Sequence, residues 1–232
     1  MGLKIAKIVD RKDLTHDVFQ LTMELEEPIE FKAGQFITLK LDDRIPPAFR
    51  AYSIASAPQN PNEIELCIKL VPDGRGTPWL NEKPIETEIP FMGPNGDFVN
   101  KTAKDKKILF IATGTGLAPF KSIVDDELAK GNDQEMHILF GVRHEKDVFY
   151  EGWFKKTAEK HPNFSYTITL SRPEKDWHGS QGRVTAVLEN MEIDLENTEV
   201  YICGLKDMIE NVETLLKEKG LPESAIHSEK YD

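Results

Sequence analysis

The chain has 232 residues, of which 39% are hydrophobic, so it is long enough to bury one large core or two smaller ones. Its 29 basic and 40 acidic residues give a formal net charge of −11, which argues against nucleic acid or an anionic membrane as a partner, because both attract positive charge. Its two cysteines are too few for a disulfide scaffold or a four-thiolate iron–sulfur cluster. Its six histidines are nowhere spaced as a helical metal-binding pair, so we predict no metal site.

Neither a secretory signal nor a membrane-spanning segment is visible in the sequence. The N-terminus lacks an apolar region, and the longest apolar stretch, at 108–120, is interrupted by Gly114 and Gly116 and is too short to cross a bilayer. We therefore expect a soluble, cytoplasmic protein without membrane insertion.

The first hundred residues show the period-two pattern of antiparallel strands. In the clearest example, at 63–70, isoleucine or leucine at every second position alternates with Glu63, Glu65, Cys67 and Lys69. One face of such a strand is expected to be buried and the other wet. Prolines and glycines separate several strands of this kind, which indicates a small barrel or sandwich.

After residue 101 the pattern changes to alternating strands and helices. Strands are predicted at 108–112, 137–142, 164–171 and 199–203. Helices are predicted at 119–130, 151–160 and 206–219. This alternation indicates a parallel sheet with right-handed crossovers. We therefore predict two domains, an antiparallel β domain at 1–101 and an α/β domain at 102–232.

The segment TGTGLAPF, at 113–120, directly follows a predicted strand and opens a predicted helix. Gly114 and Gly116 allow a tight turn, while the amides and the dipole at the helix start favour a pyrophosphate. The third glycine of an ordinary dinucleotide-binding loop is absent, and the next strand is followed by Arg143 rather than by an acid. The strand–loop–helix context still favours phosphate binding.

Two motifs of the β domain also carry chemistry. In Arg50-Ala51-Tyr52-Ser53, the arginine can pair with a phosphate, the tyrosine can stack on a flat ring and the serine can hydrogen-bond a ring nitrogen. The alternative is a surface arginine, a half-buried tyrosine and a serine in a turn. The turn at 73–77 offers a second anion-binding nest, or else is an ordinary hairpin turn.

The pair Cys203-Gly204 ends a predicted strand of the α/β domain. Ligands of open parallel sheets bind beyond the carboxyl ends of the strands, so Cys203 is expected in the same crevice as the loop at 113–119. The alternative is a small buried hydrophobic residue.

Taken together, these motifs resemble those of the ferredoxin–NADP reductase superfamily, over essentially the whole chain. The resemblance is carried by R-x-Y-S at 50–53, C-I-K at 67–69, G-T at 76–77, G-P-N-G at 93–96, T-G-T-G-L-A-P at 113–119 and C-G at 203–204. It implies a six-stranded antiparallel β-barrel that binds FAD and an α/β domain with a five-stranded parallel sheet that binds NADP(H). It also implies that a hydride passes between NADP(H) and flavin N5, and that single electrons pass to or from a ferredoxin or flavodoxin. We expect a monomer.

The resemblance implies three groups of site residues. The catalytic residues are Ser53, Cys203 and Glu229. The FAD site comprises Arg50, Ala51, Tyr52, Ser53, Cys67, Ile68, Lys69, Gly74, Arg75, Gly76, Thr77 and Tyr231. The NADP(H) site comprises Thr113, Gly114, Thr115, Gly116, Arg143, Ser171, Arg172, Arg183, Cys203 and Gly204.

Within the FAD site, the resemblance assigns a role to each main group. Arg50 neutralises the FAD phosphate together with the amides of Gly76 and Thr77. Tyr52 packs against the flavin, and Ser53 donates to the region of flavin N5 and holds the geometry of transfer.

The C-terminal residues resemble those of the ferredoxin reductases proper, where a terminal aromatic covers the flavin. Tyr231 is therefore expected to stack on the isoalloxazine and to be displaced by the nicotinamide. Glu229 is expected near Ser53 and Cys203, and Cys203 beside the nicotinamide ring. Asp232 after the tyrosine is a departure from the family pattern.

Coenzyme choice is expected to depend on Ser171, Arg172 and Arg183. NADP-specific members of the family place a serine and basic residues there for the 2′-phosphate, and NAD-specific relatives often have an acid at the serine position. The sequence therefore predicts NADPH as the preferred coenzyme.

Two other functions stay open. The first is the reductase component of an oxygenase, which normally uses NADH. The second is a flavin- or nucleotide-binding subunit of a larger complex, without turnover of its own. Because ferredoxins and flavodoxins are usually acidic, a carrier would need a local basic rim, for which the candidates are Lys32, Arg44, Lys69 and Arg75.

Overall fold

The computed structural model describes residues 2–42 and 46–231. They divide into two compact units. The barrel unit comprises the residues up to Asn100 together with Ala118–Glu127, and the α/β unit comprises Lys101–Leu117 and the residues from Leu128 onward. Arg44 and Asp232 lie outside the described residues. Over the part of the chain that is described, no helix combines the length and the apolar character that a membrane span requires.

The barrel unit contains a six-stranded antiparallel sheet. Its strands are β1 (Lys4–Asp13), β2 (Val18–Leu25), β3 (Phe36–Leu41), β4 (Ala48–Ser53), β5 (Glu63–Lys69) and β6 (Glu88–Asn95), with the short helix α1 (Thr77–Asn81) before β6. Their spatial order is β4-β3-β6-β1-β2-β5. An antiparallel bridge between Ile54 and Leu66 joins the two edges of the sheet, and the Ala55 N–H donates to the Glu65 carbonyl at 2.7 Å. The sheet therefore closes into the predicted barrel, and closure leaves no long open edge.

Side chains of alternating polarity fill the barrel as the sequence predicts. In β3, Ile37, Leu39 and Leu41 are fully buried, while the residues between them are partly exposed. Strand β5 departs from this pattern, because Cys67 is buried as well as its neighbours Leu66 and Ile68. The predicted wet face of this strand is therefore wrong at Cys67, where both faces are covered.

The α/β unit contains a parallel sheet of six strands. They are β7 (Lys107–Thr113), β8 (Met136–Val142), β9 (Phe164–Leu170), β10 (Ser180–Gln181), β11 (Thr198–Leu205) and β12 (Ile226–Tyr231). Their spatial order is β10-β9-β8-β7-β11-β12. The predicted α/β class is confirmed, although the resemblance implies five strands and the sheet has six. The two strands at its edges, one of two residues and one at the C-terminus, lie outside the four predicted segments.

Helices α2 (Ala118–Ala129), α3 (Glu151–Lys160), α4 (Val184–Asn190) and α5 (Lys206–Glu218) connect these strands. On one face of the sheet, Leu109 and Ile111 belong to a buried cluster with Val212 and Leu216 of α5. On the face of α3, aromatic rings fill the core, and Phe154 stacks on Tyr166 with ring centroids 4.8 Å apart. Burial on both faces explains why the strands read as continuous apolar runs.

Most of α2 packs with the barrel and belongs to that unit. The Ser122 hydroxyl donates to the carbonyl of Ser56 at 2.6 Å. The side chain of Lys121 is only 12% exposed and lies 3.3 Å from the Glu65 carboxylate. The apolar loop-and-helix pattern of the sequence gave no sign of these polar contacts with the barrel.

Candidate functional site

Strand β4 presents the R-x-Y-S motif at the surface of the barrel. Arg50 and Ala51 are exposed, Tyr52 is half-buried and Ser53 is buried. The Arg50 guanidinium donates to the carbonyl of Phe49 at 2.8 Å. The strand thus offers a positive charge and an aromatic ring on one accessible stretch of backbone, as a flavin nucleotide requires.

The hydroxyl of Tyr52 is buried and has no hydrogen-bond partner, and it is the one such side-chain atom within residues 2–42 and 46–231. Burial raises the pKa of Tyr52 to about 12, and the nearby charge of Arg50 opposes this rise. The phenol is therefore neutral at ordinary pH. An unsatisfied buried hydroxyl is costly, and a bound ligand with polar atoms would relieve that cost. The motif fits a flavin nucleotide by this test.

The turn at Gly76 meets the R-x-Y-S strand. A Cβ on Gly76 would lie 2.6 Å from Leu41 Cδ1 and 3.6 Å from Arg50 Cγ, so a side chain at this position would require Leu41 to move. Thr77, which begins α1, accepts the Val71 N–H at 2.9 Å through its hydroxyl. The structure therefore brings Arg50 and Gly76 together, as the predicted phosphate site needs.

Arg75 in the same turn has a different partner from the predicted one. Its guanidinium donates to both carboxylate oxygens of the buried Asp42, at 2.7 and 3.2 Å, and to the carbonyl of Pro46 at 2.7 Å. The side chain thus ties the turn of Gly74 and Gly76 to the end of β3. The sequence does not mark Asp42 as a partner of Arg75, because the two residues lie 33 positions apart and share no local pattern.

The C-I-K segment lies in the wall of the barrel. Cys67 and Ile68 are buried, and the ammonium group of Lys69 lies 2.7 Å from the Asp17 carboxylate. The positive charges of Lys69 and Arg75 are therefore neutralised by acids of the same unit. These two residues are half of the four predicted for a basic rim. Of the other two, Lys32 is exposed and Arg44 lies outside the described residues.

In the α/β unit, the glycine loop begins where β7 ends. Gly114–Leu117 form a 3-10 turn, with Gly114 and Thr115 partly exposed, and α2 follows. A Cβ on Gly116 would lie 2.3 Å from the Cys203 carbonyl oxygen, which no side chain allows. The loop and the end of β11 are therefore in direct backbone contact. Both lie at the carboxyl ends of the strands, where ligands of open parallel sheets bind, and we call this part of the sheet the ligand edge.

Cys203 is fully buried at this edge, between the loop and strand β12. In the parallel register of β11 and β12, Cys203 is paired with Glu229 and Leu205 with Tyr231. Burial raises the pKa of Cys203 well above its usual value, the Glu229 carboxylate raises it further, and a hydrogen bond with the Tyr231 side chain opposes the rise. The thiol is thus protonated at neutral pH and is not a thiolate nucleophile. Three of the predicted residues meet here.

The three residues predicted to select the coenzyme lie at the carboxyl ends of β8 and β9, together with Arg143, which is predicted only as part of the NADP(H) site. Arg143, Ser171, Arg172 and Arg183 are all exposed. The Arg172 N–H donates to the carbonyl of Arg143 at 2.8 Å. The Gly182 N–H donates to the carbonyl of Leu170, the last residue of β9, at 2.8 Å. The backbone therefore brings the segments of all four residues to the same end of the sheet.

No group of three or more histidine, cysteine or acidic side chains in the described residues is arranged to hold a metal ion.

A barrel with a flavin-type motif and a parallel sheet with a phosphate loop at its carboxyl edge together define a flavin- and nicotinamide-nucleotide-dependent oxidoreductase. Comparisons with known proteins give the family.

Residues 5–100 match the family model of the oxidoreductase FAD-binding domain, and residues 110–214 match that of the oxidoreductase NAD-binding domain. The chain is 33% identical to ferredoxin–NADP reductase B of Sorangium cellulosum over 236 aligned positions, which cover 98% of this chain and 97% of that protein. It is 30% identical to the phenol hydroxylase P5 protein of Acinetobacter pittii over 97% of this chain, but it spans only 65% of that protein.

Among solved structures, the Amycolatopsis cytochrome P450 reductase GcoB superposes with a TM-score of 0.90 at 27% identity, over 98% of this chain and 69% of that one. The chain therefore belongs to the ferredoxin–NADP reductase superfamily. It is an FAD-dependent oxidoreductase that uses a pyridine nucleotide.

We expect the substitution Gly116→Ala to displace the loop from Cys203, because its Cβ would overlap the Cys203 carbonyl. Overpacking of this kind lowers the free energy of unfolding by about 1–3 kcal/mol. Urea denaturation measures this loss, and titration with a pyridine nucleotide is expected to show weaker binding.

The matched control is Gly152→Ala, because a Cβ on Gly152 in α3 would meet nothing within 4 Å. This variant should bind the nucleotide as the parent does and should lose no stability, because alanine is favoured over glycine in a helix. A Gly116→Ala protein as stable and as tightly binding as the parent would contradict the close contact.

Proposed function

We propose that this chain transfers electrons between NADP(H) and a small carrier protein, a ferredoxin or a flavodoxin, through bound FAD. Residues 1–101 would bind FAD, and residues 102–232 would bind NADP(H). The observation that carries the proposal is the Tyr52 hydroxyl, buried without a partner on a strand that also presents Arg50 beside the Gly76 turn. The similarity to a protein named ferredoxin–NADP reductase, over nearly the full length of both chains, supports a ferredoxin as the electron carrier.

When bound, FAD accepts a hydride from the nicotinamide and releases the electrons singly. The chain's own residues would bind and orient it. Arg50 and the amides of Gly76 and Thr77 would hold the diphosphate, and Tyr52 would pack on the ring system. Ser53 would donate a hydrogen bond to the reacting region. Arg75 would act indirectly, because its ion pair with Asp42 holds the turn in place.

On the α/β unit, the backbone at Thr113, Gly114, Thr115 and Gly116 would hold the pyrophosphate of the coenzyme. The neutral thiol of Cys203 would pack beside the nicotinamide rather than react with it, since its pKa is raised by burial. Glu229 and Tyr231 would border the same place, because β12 pairs with β11 there. We propose that Tyr231 occupies the flavin face until the nicotinamide displaces it.

NADP(H) rather than NAD(H) is proposed because three arginines and a serine converge at the carboxyl ends of β8 and β9. Charge-assisted hydrogen bonds from arginine suit a phosphate dianion. Ser171 in place of an acid removes the repulsion that would exclude the 2′-phosphate.

A second candidate function is the reductase component of an oxygenase. It is favoured by the 30% identity to the phenol hydroxylase P5 protein over 97% of this chain. The two functions differ in coenzyme and in the identity of the electron acceptor.

The first test is whether the purified chain, supplied with FAD, shows a flavin absorbance spectrum and reduces a dye acceptor with NADPH in steady turnover. We expect both. A protein that binds FAD but does not reduce the dye would be a binding subunit, and a protein without affinity for FAD would refute the proposal as a whole.

We expect Tyr52→Phe to have opposite effects on the FAD-free and FAD-bound protein. Removal of an unsatisfied buried hydroxyl is expected to stabilise the FAD-free protein by about 1–3 kcal/mol in urea denaturation. Loss of a hydrogen bond to the cofactor is expected to weaken FAD binding by about tenfold in fluorescence titration.

Tyr166→Phe is the matched control, because Tyr166 lies in β9 and packs on Phe154. It should leave FAD binding unchanged. If Tyr52→Phe also leaves FAD binding unchanged, the hydroxyl is not a cofactor contact.

Coenzyme choice is measured as the ratio of kcat/KM for NADPH to that for NADH. We expect the parent to prefer NADPH, and Ser171→Asp to lower the ratio by about tenfold or more through charge repulsion. Lys156→Ala, an exposed change in α3, should leave the ratio unchanged. Preference of the parent for NADH would instead support the oxygenase-reductase function.

A further inference from the structure

Strand β12 carries Glu229 and Tyr231 at the edge of the α/β sheet, and it pairs with β11 alone. Its side chains alternate between the two faces of the sheet. Ser228 and Lys230 face α5, where the Ser228 hydroxyl donates to Glu213 at 2.7 Å and the Lys230 ammonium lies 3.9 Å from Glu210. The other face carries His227, Glu229 and Tyr231, opposite Tyr201, Cys203 and Leu205.

Apolar burial contributes one side chain to the register of β12 on β11, because Ile226 packs against the buried cluster that includes Val212 and Leu216 of α5 while the other five residues of the strand lie outside that cluster. None of its six side chains is fully buried, and most are polar. A strand of this kind is prone to slip, and a slip by one residue moves every side chain to the opposite face. Glu229 and Tyr231 would then face α5 and leave Cys203. The strand therefore depends on further contacts, beside that of Ile226, to hold this register.

His227 makes the contacts that do so. Its ring stacks on Tyr201 with centroids 4.5 Å apart and planes 26° apart. Its Nε2 lies 3.0 Å from an oxygen of the Glu199 carboxylate. These two partners are two residues apart on β11, so both contacts form in this register and are lost together on a one-residue slip.

The two partners of His227 are themselves held in place. Tyr201 is buried, and its hydroxyl accepts the Lys101 N–H at 3.0 Å and lies 3.1 Å from the Thr102 hydroxyl. Glu199 is 15% exposed and also pairs with Lys106 at 3.5 Å. His227 therefore docks on a fixed platform rather than on mobile surface groups.

We infer that His227 is a positioning residue, which fixes the register of β12 through Glu199 and Tyr201 and so holds Glu229 and Tyr231 beside Cys203. It precedes Glu229 by two residues on the same face, so it acts along the strand without contact with the thiol. For catalysis this inference rests on the proposed function. The register itself does not.

The test measures the reaction of Cys203 with iodoacetamide in the full chain, with and without FAD, by peptide mass spectrometry that separates Cys203 from Cys67. We expect His227→Ala to raise the labelling rate of Cys203 by about tenfold, the factor that corresponds to loss of one hydrogen bond. A chain that lacks Tyr231 and Asp232 gives the rate for a thiol without the Tyr231 contact.

Ser228→Ala is the matched control, since it removes a hydrogen bond of the same strand on the opposite face. It should label at the parent rate. His227→Gln keeps a hydrogen-bond donor for Glu199, so it should restore part of the protection, and it replaces the alanine variant if that variant does not fold. Labelling of His227→Ala at the parent rate, or equal acceleration in Ser228→Ala, would overturn the inference.

Turnover separates this inference from the proposed function. If the parent reduces a dye with NADPH, His227→Ala should alter kcat and KM for NADPH while FAD content stays unchanged. If the parent shows no turnover, the proposed function fails, and the labelling rates alone decide whether His227 fixes the register.

Discussion

The contact between Gly116 and the Cys203 carbonyl determines how the ligand edge of the α/β unit is built. A Cβ at this point would lie 2.3 Å from a backbone oxygen, so the loop after β7 can rest against the end of β11 only with glycine there. Cys203 itself is fully buried in the strand against which the loop rests. Strand β12 completes the enclosure, and burial then keeps the thiol protonated. The absence of a side chain at Gly116 therefore determines how closely the loop approaches the strand that carries the thiol.

The barrel unit shows the opposite arrangement, in which a polar atom is left without a partner. The buried hydroxyl of Tyr52 is an unfavourable feature of the protein by itself, and a bound ligand with polar atoms would relieve its cost. The ion pair of Arg75 and Asp42 holds the neighbouring turn in place before any ligand arrives. A turn that is already held in place would lose less conformational entropy on binding a ligand.

Much of the fold could be predicted from the sequence, because strong periodicity marks its interior. The helix at 151–160 was predicted to the residue, and the strands at 108–112 and 137–142 lie within β7 and β8. Helix α4 was missed, because seven residues rich in Val and Thr carry too little helical period. Strands β10 and β12 were missed because one has two residues and the other buries no side chain fully.

The site could be predicted where residues adjacent in sequence act together, and not where their partners are distant. Arg50, Tyr52 and the Gly116 loop follow local motifs, whereas Asp42 lies 33 residues from Arg75 and shares no pattern with it. Glu199 and His227 lie 28 residues apart and meet only because parallel strands pair. Local motifs indicate candidate ligand-binding groups, but contacts between distant segments decide which of those groups already have a partner within the protein.

Charge illustrates the same point. In a chain of net charge −11, Lys69, Arg75 and Lys121 each have an acidic partner in the barrel unit. Arg143, Arg172 and Arg183 take part in no ion pair that the structure describes. Like charges that converge without acidic partners repel one another, and an anionic ligand removes that repulsion. In a protein with 40 acidic residues, three arginines without described ion-pair partners at one end of a sheet support the binding of a phosphate-bearing coenzyme. Their lack of such partners is stronger support than their number.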